Sequence, residues 1–162
     1  MKIGMRRRSI IATLGILTAS GTSGCLSSIQ EAVNPAVQLG WFGIHNADTE
    51  SSHRFDLEVE RDGQIVHSSS HTVDAAQEYD GGGQYNDGAV AECEWGSTPG
   101  EYTVRVRRDD NEWVEESVTE FAASRDVDCV IADAEYRSTL SIYLKEGCDQ
   151  TDYDQMCSFT RE

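Results

Sequence analysis

The sequence has 162 residues, of which 38% are hydrophobic, and its mean hydropathy is −0.49. These values exclude an integral membrane bundle and leave room for one domain. With 29 acidic and 13 basic residues the formal net charge is −16, a field that repels nucleic acid and anionic lipid headgroups. We therefore expect no nucleic-acid partner.

The first 24 residues predict a signal peptide. Arg6–Arg8 supply a basic start, Ile10–Leu17 form a short apolar stretch, and small residues continue to Gly24. A helix that spans a bilayer needs about 20 apolar residues, so this stretch is too short for a permanent span. We expect residues 1–24 to be removed on export.

Two motifs in this segment resemble known export signals. Arg7 and Arg8, followed by Ser9-Ile10-Ile11, resemble the twin-arginine motif, which implies export of the already folded chain. Thr22-Ser23-Gly24-Cys25 resembles the lipobox of bacterial and archaeal lipoproteins, although the first position of that motif is usually Leu. The resemblance implies that Cys25 accepts a lipid and that the protein is held at the outer face of the cytoplasmic membrane.

The mature chain would begin at this lipid anchor. Two acyl chains, each contributing about 0.8 kcal/mol per buried CH₂, hold a protein stably where one chain does not. Residues 25–36 form a short tether, so the domain that follows, residues 37–162, is expected close to the membrane. The membrane is thus an expected partner, through the lipid anchor.

The mature chain carries a more extreme charge than the whole sequence. Four of the basic residues precede Cys25, which leaves nine basic residues against 29 acidic ones and a formal net charge of −20. Lys145 is the only lysine among the nine. Many carboxylates, almost no lysine and an export signal resemble the secreted proteins of halophilic archaea. That resemblance implies folding at molar salt, where the Debye length is about 3 Å and charge repulsion is screened.

From Val37 onward, apolar and polar residues alternate with period two, interrupted by turn residues. The alternation predicts strands near residues 55–60, 65–73, 89–95, 102–107, 113–121, 127–131 and 140–144. Asp62-Gly63 predicts a tight hairpin between the first two of these strands. Residues 74–88, which include three consecutive glycines, are expected to form a long flexible loop.

The spacing of these strands predicts an all-β fold. We expect an antiparallel two-sheet sandwich of about eight short strands, with no long helix. The segment Ser97–Val104 contains a Pro-Gly-x-Tyr turn that resembles the turns of immunoglobulin-like and fibronectin-like modules. The resemblance implies an immunoglobulin-like sandwich.

Four cysteines remain in the mature chain if Cys25 is lipidated, and an oxidising location favours their pairing. Four cysteines allow three connectivities. We expect Cys93–Cys129, because both residues share the inward phase of their strands, and Cys148–Cys157, because these two bracket a short polar loop.

The sequence offers few candidates for a metal or cofactor. His67 and His71 are four apart, which on a strand separates them by about 13 Å, too far to share an ion. Asp149, Asp152 and Asp154 could hold calcium, but the glycine and terminal glutamate of an EF-hand loop are absent. All four histidines precede the four domain cysteines, which does not fit the order of blue-copper ligands. We expect no metal, no cofactor and no enzyme activity.

The leading functional prediction is a non-enzymatic surface module that binds an extracellular protein or a small solute. The alternatives are a structural envelope lipoprotein without a dedicated ligand and an accessory subunit of a transporter. A binding module should expose clustered aromatic side chains, whereas a structural protein should bury them. The candidates for this comparison are Trp41, Phe42, Tyr79, Tyr85 and Trp113.

Overall fold

The computed structural model describes residues 36–148. The residues predicted for export and lipidation, Arg7, Arg8 and Cys25, lie outside the described residues, as do Cys157 and the three aspartates considered for calcium. Within residues 36–148, no helix is long and apolar enough to cross a membrane.

The described residues form ten strands and one short helix. In chain order these are β1 Gln38–Asn46, β2 His53–Arg61, β3 Gln64–Val73, β4 Gln77–Tyr79, β5 Gly83–Tyr85, β6 Asp87–Val90, β7 Tyr102–Arg108, β8 Val114–Ser117, α1 Val118–Arg125, β9 Cys129–Tyr136 and β10 Leu140–Glu146. The prediction of an all-β fold is thus confirmed.

Eight of the strands form two four-stranded sheets. The first sheet has the order β10-β9-β1-β6, the second has the order β3-β2-β7-β8, and β4 pairs only with β5. Every paired neighbour is antiparallel except β1 and β9, which run parallel, so the first sheet is mixed. The expectation of a wholly antiparallel sandwich is wrong at this pair, because β1 inserts between β6 and β9 instead of pairing with its chain neighbour.

The two sheets contribute to one hydrophobic core. On β2, Phe55, Leu57 and Val59 are fully buried and alternate with polar residues, so one face of this strand points inward. Val104 and Val106 of β7 lie directly opposite Val59 and Leu57. One of the two interior strands of the first sheet, β1, is buried on both faces over most of its length.

The β2–β3 hairpin forms where the sequence predicts it. Asp62 and Gly63 take φ values of 52° and 76°, the positive angles that a two-residue hairpin turn requires. Val59 lies opposite His67 in the resulting register. The inner face of β3 therefore carries His67, Ser69 and His71, opposite the apolar side chains of β2.

Three predicted segments differ from the structure. Residues 74–88 are not an unstructured loop but contain β4, β5 and the start of β6. The strand expected at 89–95 ends at Val90. The strand expected at 113–121 ends at Ser117, whose side chain accepts a hydrogen bond from the Glu120 backbone N–H at 3.1 Å and begins α1. The Ser-x-x-Glu spacing is a helix-start pattern that competes with the alternation here.

The predicted disulfide pairing is wrong. Cys129 pairs with Cys148, with 5.7 Å between their Cα atoms, so neither Cys93–Cys129 nor Cys148–Cys157 can form. The β9–β10 hairpin explains the pairing, because it brings Gly147 N–H to the Cys129 carbonyl at 3.0 Å and Cys148 beside it. Cys93 is also disulfide-bonded.

Candidate functional site

The β4–β5 hairpin displays two of the most exposed large side chains in the described part of the chain. Tyr79 is 61% exposed and Tyr85 is 64% exposed. Gly81 and Gly82, with φ values of 119° and 82°, make the turn between the strands, and the Gly82 N–H donates to the Tyr79 carbonyl at 3.2 Å. We call residues 77–85 the tyrosine hairpin.

The ring of Tyr79 lies flat across the hairpin. Tyr79 and Gly83 are directly opposite in the β4–β5 register. A Cβ atom placed on Gly83 would overlap the Tyr79 ring, so glycine is needed here to make room for the ring and not for an unusual φ. One face of the ring thus packs on backbone while the side chain remains mostly exposed. We call this arrangement the Tyr79 platform.

Hydrogen bonds tie the tyrosine hairpin to the rest of the domain. The Gln84 side-chain amide donates to the Ala47 carbonyl at 3.0 Å and to the Asn86 side-chain oxygen at 2.8 Å. The Ala76 N–H donates to the Asp48 carbonyl at 2.7 Å. The hairpin is therefore held at the end of β1.

A buried asparagine fixes the strand that leads into the hairpin. Asn46 is fully buried, and its side-chain amide donates to the carbonyls of Ser51, Val73 and Asp74 at 2.9, 3.3 and 2.9 Å. Satisfying these three carbonyls joins the end of β3 to the end of β1. The base of the tyrosine hairpin is thereby anchored on the core.

The sequence around the tyrosine hairpin is acidic throughout. Residues 36–53 and 62–104 contain no lysine or arginine. The second of these ranges carries eight acidic residues, four of them in or beside the hairpin: Asp74, Glu78, Asp80 and Asp87. The basic residues of the described chain all lie at Arg54, at Arg61 or beyond residue 104. The tyrosine hairpin thus lies in a segment that contains no lysine or arginine.

A second arrangement, a histidine network, joins the edge strand β3 to the segment after β6. His67 Nδ1 lies 2.9 Å from Glu94 Oε2, and His67 Nε2 lies 2.8 Å from Ser69 Oγ. His71 Nε2 lies 2.9 Å from the same Ser69 oxygen. His67 is buried and packs edge-on against Trp95 at 5.8 Å between ring centroids.

The direction of these hydrogen bonds follows from the carboxylate end. A carboxylate only accepts, so His67 donates through Nδ1 to Glu94, while the His67 Nε2 atom lies within hydrogen-bond distance of the Ser69 hydroxyl. Ser69 Oγ then accepts from His71 Nε2–H. Burial, and next the nearby His67, lower the pKa of His71, while Glu92 acts in the opposite direction. The predicted separation of about 13 Å refers to positions along the strand. The two side chains nevertheless converge on the Ser69 hydroxyl between them.

A third histidine is held between two carboxylates. His53 Nε2 lies 3.0 Å from Asp48 Oδ2, and His53 Nδ1 lies 3.2 Å from Asp109 Oδ2. The hydrogen bond from His53 lowers the pKa of Asp48. The His53 ring also packs edge-on against Tyr136 at 4.9 Å. These contacts join the start of β2 and the end of β9 to the loops that contain Asp48 and Asp109.

A groove of about 490 Å³ lies between α1 and β10. Phe121, Ile142 and Leu144 line it together with Tyr143, which is 53% exposed. Glu116 and Glu120 stand beside these apolar groups.

The five aromatic candidates divide into three groups. Trp41 and Phe42 are buried. Trp113 is partly covered by the guanidinium groups of Arg105 and Arg107, which lie 5.7 and 4.7 Å from its ring centroid. Tyr79 and Tyr85 are exposed on one hairpin. Their clustering could not be read from the sequence, because residues 74–88 lack the period-two pattern that reveals a half-buried strand.

Among residues 36–148, no cluster of three or more histidine, cysteine, aspartate or glutamate side chains could hold a metal ion. Of the predicted disulfide cysteines, Cys93, Cys129 and Cys148 lie in the described part of the chain. Comparisons with protein families, curated proteins and solved structures found no match.

Proposed function

We propose that this protein is a membrane-anchored extracellular lipoprotein whose immunoglobulin-like domain is a binding module, with the tyrosine hairpin as its contact surface. The exposure of Tyr79 and Tyr85 on one anchored hairpin carries the proposal. Exposed aromatic side chains that are held in place dock partners at low entropic cost. A structural lipoprotein without a ligand is expected to bury its aromatic side chains instead.

The composition of the hairpin supports the same function. Residues 77–85 are rich in tyrosine, glycine and glutamine and contain no aliphatic side chain. Tyrosine and glycine are also enriched in the binding loops of antibodies, where tyrosine gives a large contact area with few rotatable bonds. The immunoglobulin-like assignment is supported by two four-stranded sheets that share one core.

Chemical footprinting of tyrosines in intact cells tests the proposed function. Nitration of the purified full chain should modify Tyr79, Tyr85 and Tyr143, since all three are more than half exposed. In cells, a partner on the hairpin should protect Tyr79 and Tyr85 but not Tyr143. Equal modification of all three in cells would favour the structural alternative, and protection of Tyr143 alone would place the contact in the groove beside α1.

Membrane attachment requires a separate experiment. The proposal predicts that Cys25→Ser releases the protein from membranes into the medium, because the lipid is the anchor. Arg7→Lys with Arg8→Lys keeps the charge and should leave precursor in the cytoplasm. Retention of the Cys25→Ser variant on membranes after a high-salt wash would contradict the lipid anchor.

The histidine network supports a second candidate, ester hydrolysis. Glu94, His67 and Ser69 follow one another in the order of an orienting acid, a base and a nucleophile. In such a reaction Ser69 Oγ attacks the ester carbonyl, its proton moves to His67 Nε2, and the leaving alcohol takes that proton, which leaves an acyl group on Ser69. Water then attacks this acyl ester, its proton moves to His67 Nε2, and the carboxylic acid is released as Ser69 Oγ takes the proton back. Labelling of Ser69 by a fluorophosphonate, abolished by His67→Asn but not by Ser70→Ala, would support this activity. An unlabelled Ser69 would exclude it.

A further inference from the structure

The shape and charge of the tyrosine hairpin suit one kind of ligand, the arginine side chain. We propose that the Tyr79 platform binds arginine side chains of a basic partner segment. The inference rests on the proposed function, since it names the partner of the same hairpin. Three features carry it: the position of the ring across Gly83, the carboxylates on neighbouring residues of the chain, and the absence of lysine and arginine from residues 36–53 and 62–104.

The ring provides a stacking surface. The Tyr79 side chain lies across Gly83, which fixes one face of the ring on the backbone and leaves the residue 61% exposed. A guanidinium is planar and weakly hydrated, so it stacks on an aromatic face more favourably than a lysine ammonium does. A ring that already packs against the backbone loses less rotamer freedom when the cation arrives than a ring without such a contact.

The surrounding charge selects a cation. Glu78 and Asp80 flank Tyr79 in sequence, and Asp74 and Asp87 stand at the base of the hairpin, where the Asp74 N–H donates to Asp87 Oδ2 at 3.2 Å. Residues 36–53 and 62–104 contain no lysine or arginine that could neutralise these carboxylates from within the same segments. An arginine-bearing partner therefore meets complementary charge around a stacking surface.

Two other aromatic side chains of the described residues already stack with arginines of the same chain. Trp113 already receives Arg107 at 4.7 Å and Arg105 at 5.7 Å from within the chain. Tyr136 likewise receives Arg108 at 4.3 Å. These internal pairs show the contact that we propose for Tyr79 with an external arginine.

The salt concentration distinguishes the charge attraction in this interaction from the stacking on the Tyr79 ring. Attraction between the carboxylates and a cationic peptide falls steeply when the Debye length drops from about 10 Å at 0.1 M to about 3 Å at 1 M. Stacking is a contact interaction and is screened less. At molar salt, preference for arginine over lysine should therefore depend on Tyr79 and not on the net charge.

The test measures fluorescence anisotropy of labelled octa-arginine and octa-lysine with the purified full chain in low and molar potassium chloride. At molar salt octa-arginine should bind about two- to fivefold more tightly than octa-lysine, the range expected for an exposed cation–π contact. Tyr79→Ala should remove this difference. Tyr143→Ala should leave it unchanged, because Tyr143 is similarly exposed but lies on β10.

A second variant tests whether binding depends on the position of the Tyr79 ring and not only on its presence. Gly83→Ala keeps Tyr79 but displaces its ring, so it should weaken octa-arginine binding as Tyr79→Ala does. Equal binding of both peptides, unaffected by Tyr79→Ala, would reduce the interaction to non-specific charge attraction and overturn the inference. Tyr79-dependent binding of maltoheptaose without peptide preference would overturn it in favour of a carbohydrate. Neither result would affect protection of the hairpin in cells, so the proposed function would survive.

Discussion

At the scale of single residues, His71 is expected to make the free energy of unfolding depend on pH. Burial lowers the pKa of His71 from its ordinary value of 6.5. Between pH 6.5 and the lower pKa that His71 has in the folded chain, His71 carries a proton in the unfolded chain but not in the folded chain. The free energy of unfolding should therefore be highest above pH 6.5 and fall as the pH falls through this window.

Replacing His71 tests this linkage. His71→Gln removes the titrating group, so the variant should lose less stability than the wild type when the pH falls from above 6.5 toward 5. Urea unfolding at each pH gives the comparison. The pKa values of Asp48 and Asp56 are lowered from 3.8, so these carboxyl groups do not contribute to the window. An identical pH dependence in the variant and the wild type would show that His71 does not titrate in this range.

Residue exposure was only partly predictable from the sequence. The alternation on β2 places Phe55 and Leu57 in the core, because a strand with one buried face repeats every two residues. The same rule fails for Trp41 and Phe42, which are consecutive and both buried, because β1 is covered on both faces. Sequence alone could not separate these two from Tyr79 and Tyr85.

At the scale of elements, the start of α1 depends on a single cap. Ser117 accepts the Glu120 N–H at 3.1 Å, and Asp126 closes the helix with φ of 57°. We expect Ser117→Ala to lower the free energy of unfolding by about 1 kcal/mol. The exposed Ser138→Ala is the control and should change stability by less than about 0.5 kcal/mol. Equal effects of the two substitutions would contradict the assigned cap.

The cysteines connect elements in a way that also bears on the lipid anchor. Cys129–Cys148 joins the two ends of the β9–β10 hairpin, and Cys93 forms a second disulfide. If Cys25 carries the lipid, Cys157 is the remaining partner of Cys93. Peptide mapping without reduction should therefore recover Cys129–Cys148 and Cys93–Cys157. Recovery of Cys93 linked to Cys25 would contradict lipidation.

Elements with a repeating pattern were easier to predict than their partners. The hairpin of β2 and β3 follows from alternation and from Asp62-Gly63. The pairing of β1 with β9 joins segments about 90 residues apart, and no local pattern encodes it. The disulfide prediction failed for the same reason, because strand phase gives the face of a cysteine but not its neighbour.

At the scale of the whole molecule, charge dominates the expected behaviour. With a formal net charge of −20 after residue 24, lowering the salt from about 1 M to about 0.01 M extends the Debye length from about 3 Å to about 30 Å. Each adjacent pair of surface charges then costs about 1 kcal/mol at most, but many pairs add, against a typical total stability of about 5–15 kcal/mol.

The melting temperature should therefore be markedly lower at low salt than at molar salt. Sodium chloride and potassium chloride should act alike if screening is the cause. Thermal unfolding of the soluble Cys25→Ser chain, with its disulfides intact, gives the measurement. A melting temperature that does not change with salt would remove the support for a halophilic source.

The proposed contact surface of the protein on the cell is the tyrosine hairpin. A photo-reactive phenylalanine derivative placed at residue 79, at residue 85 or at residue 143 in living cells tests it most directly. Residues 79 and 85 should give the same cross-linked adduct, because both lie on one hairpin, and residue 143 should not give it. The absence of an adduct at both hairpin positions, or the same adducts at all three positions, would contradict the claim.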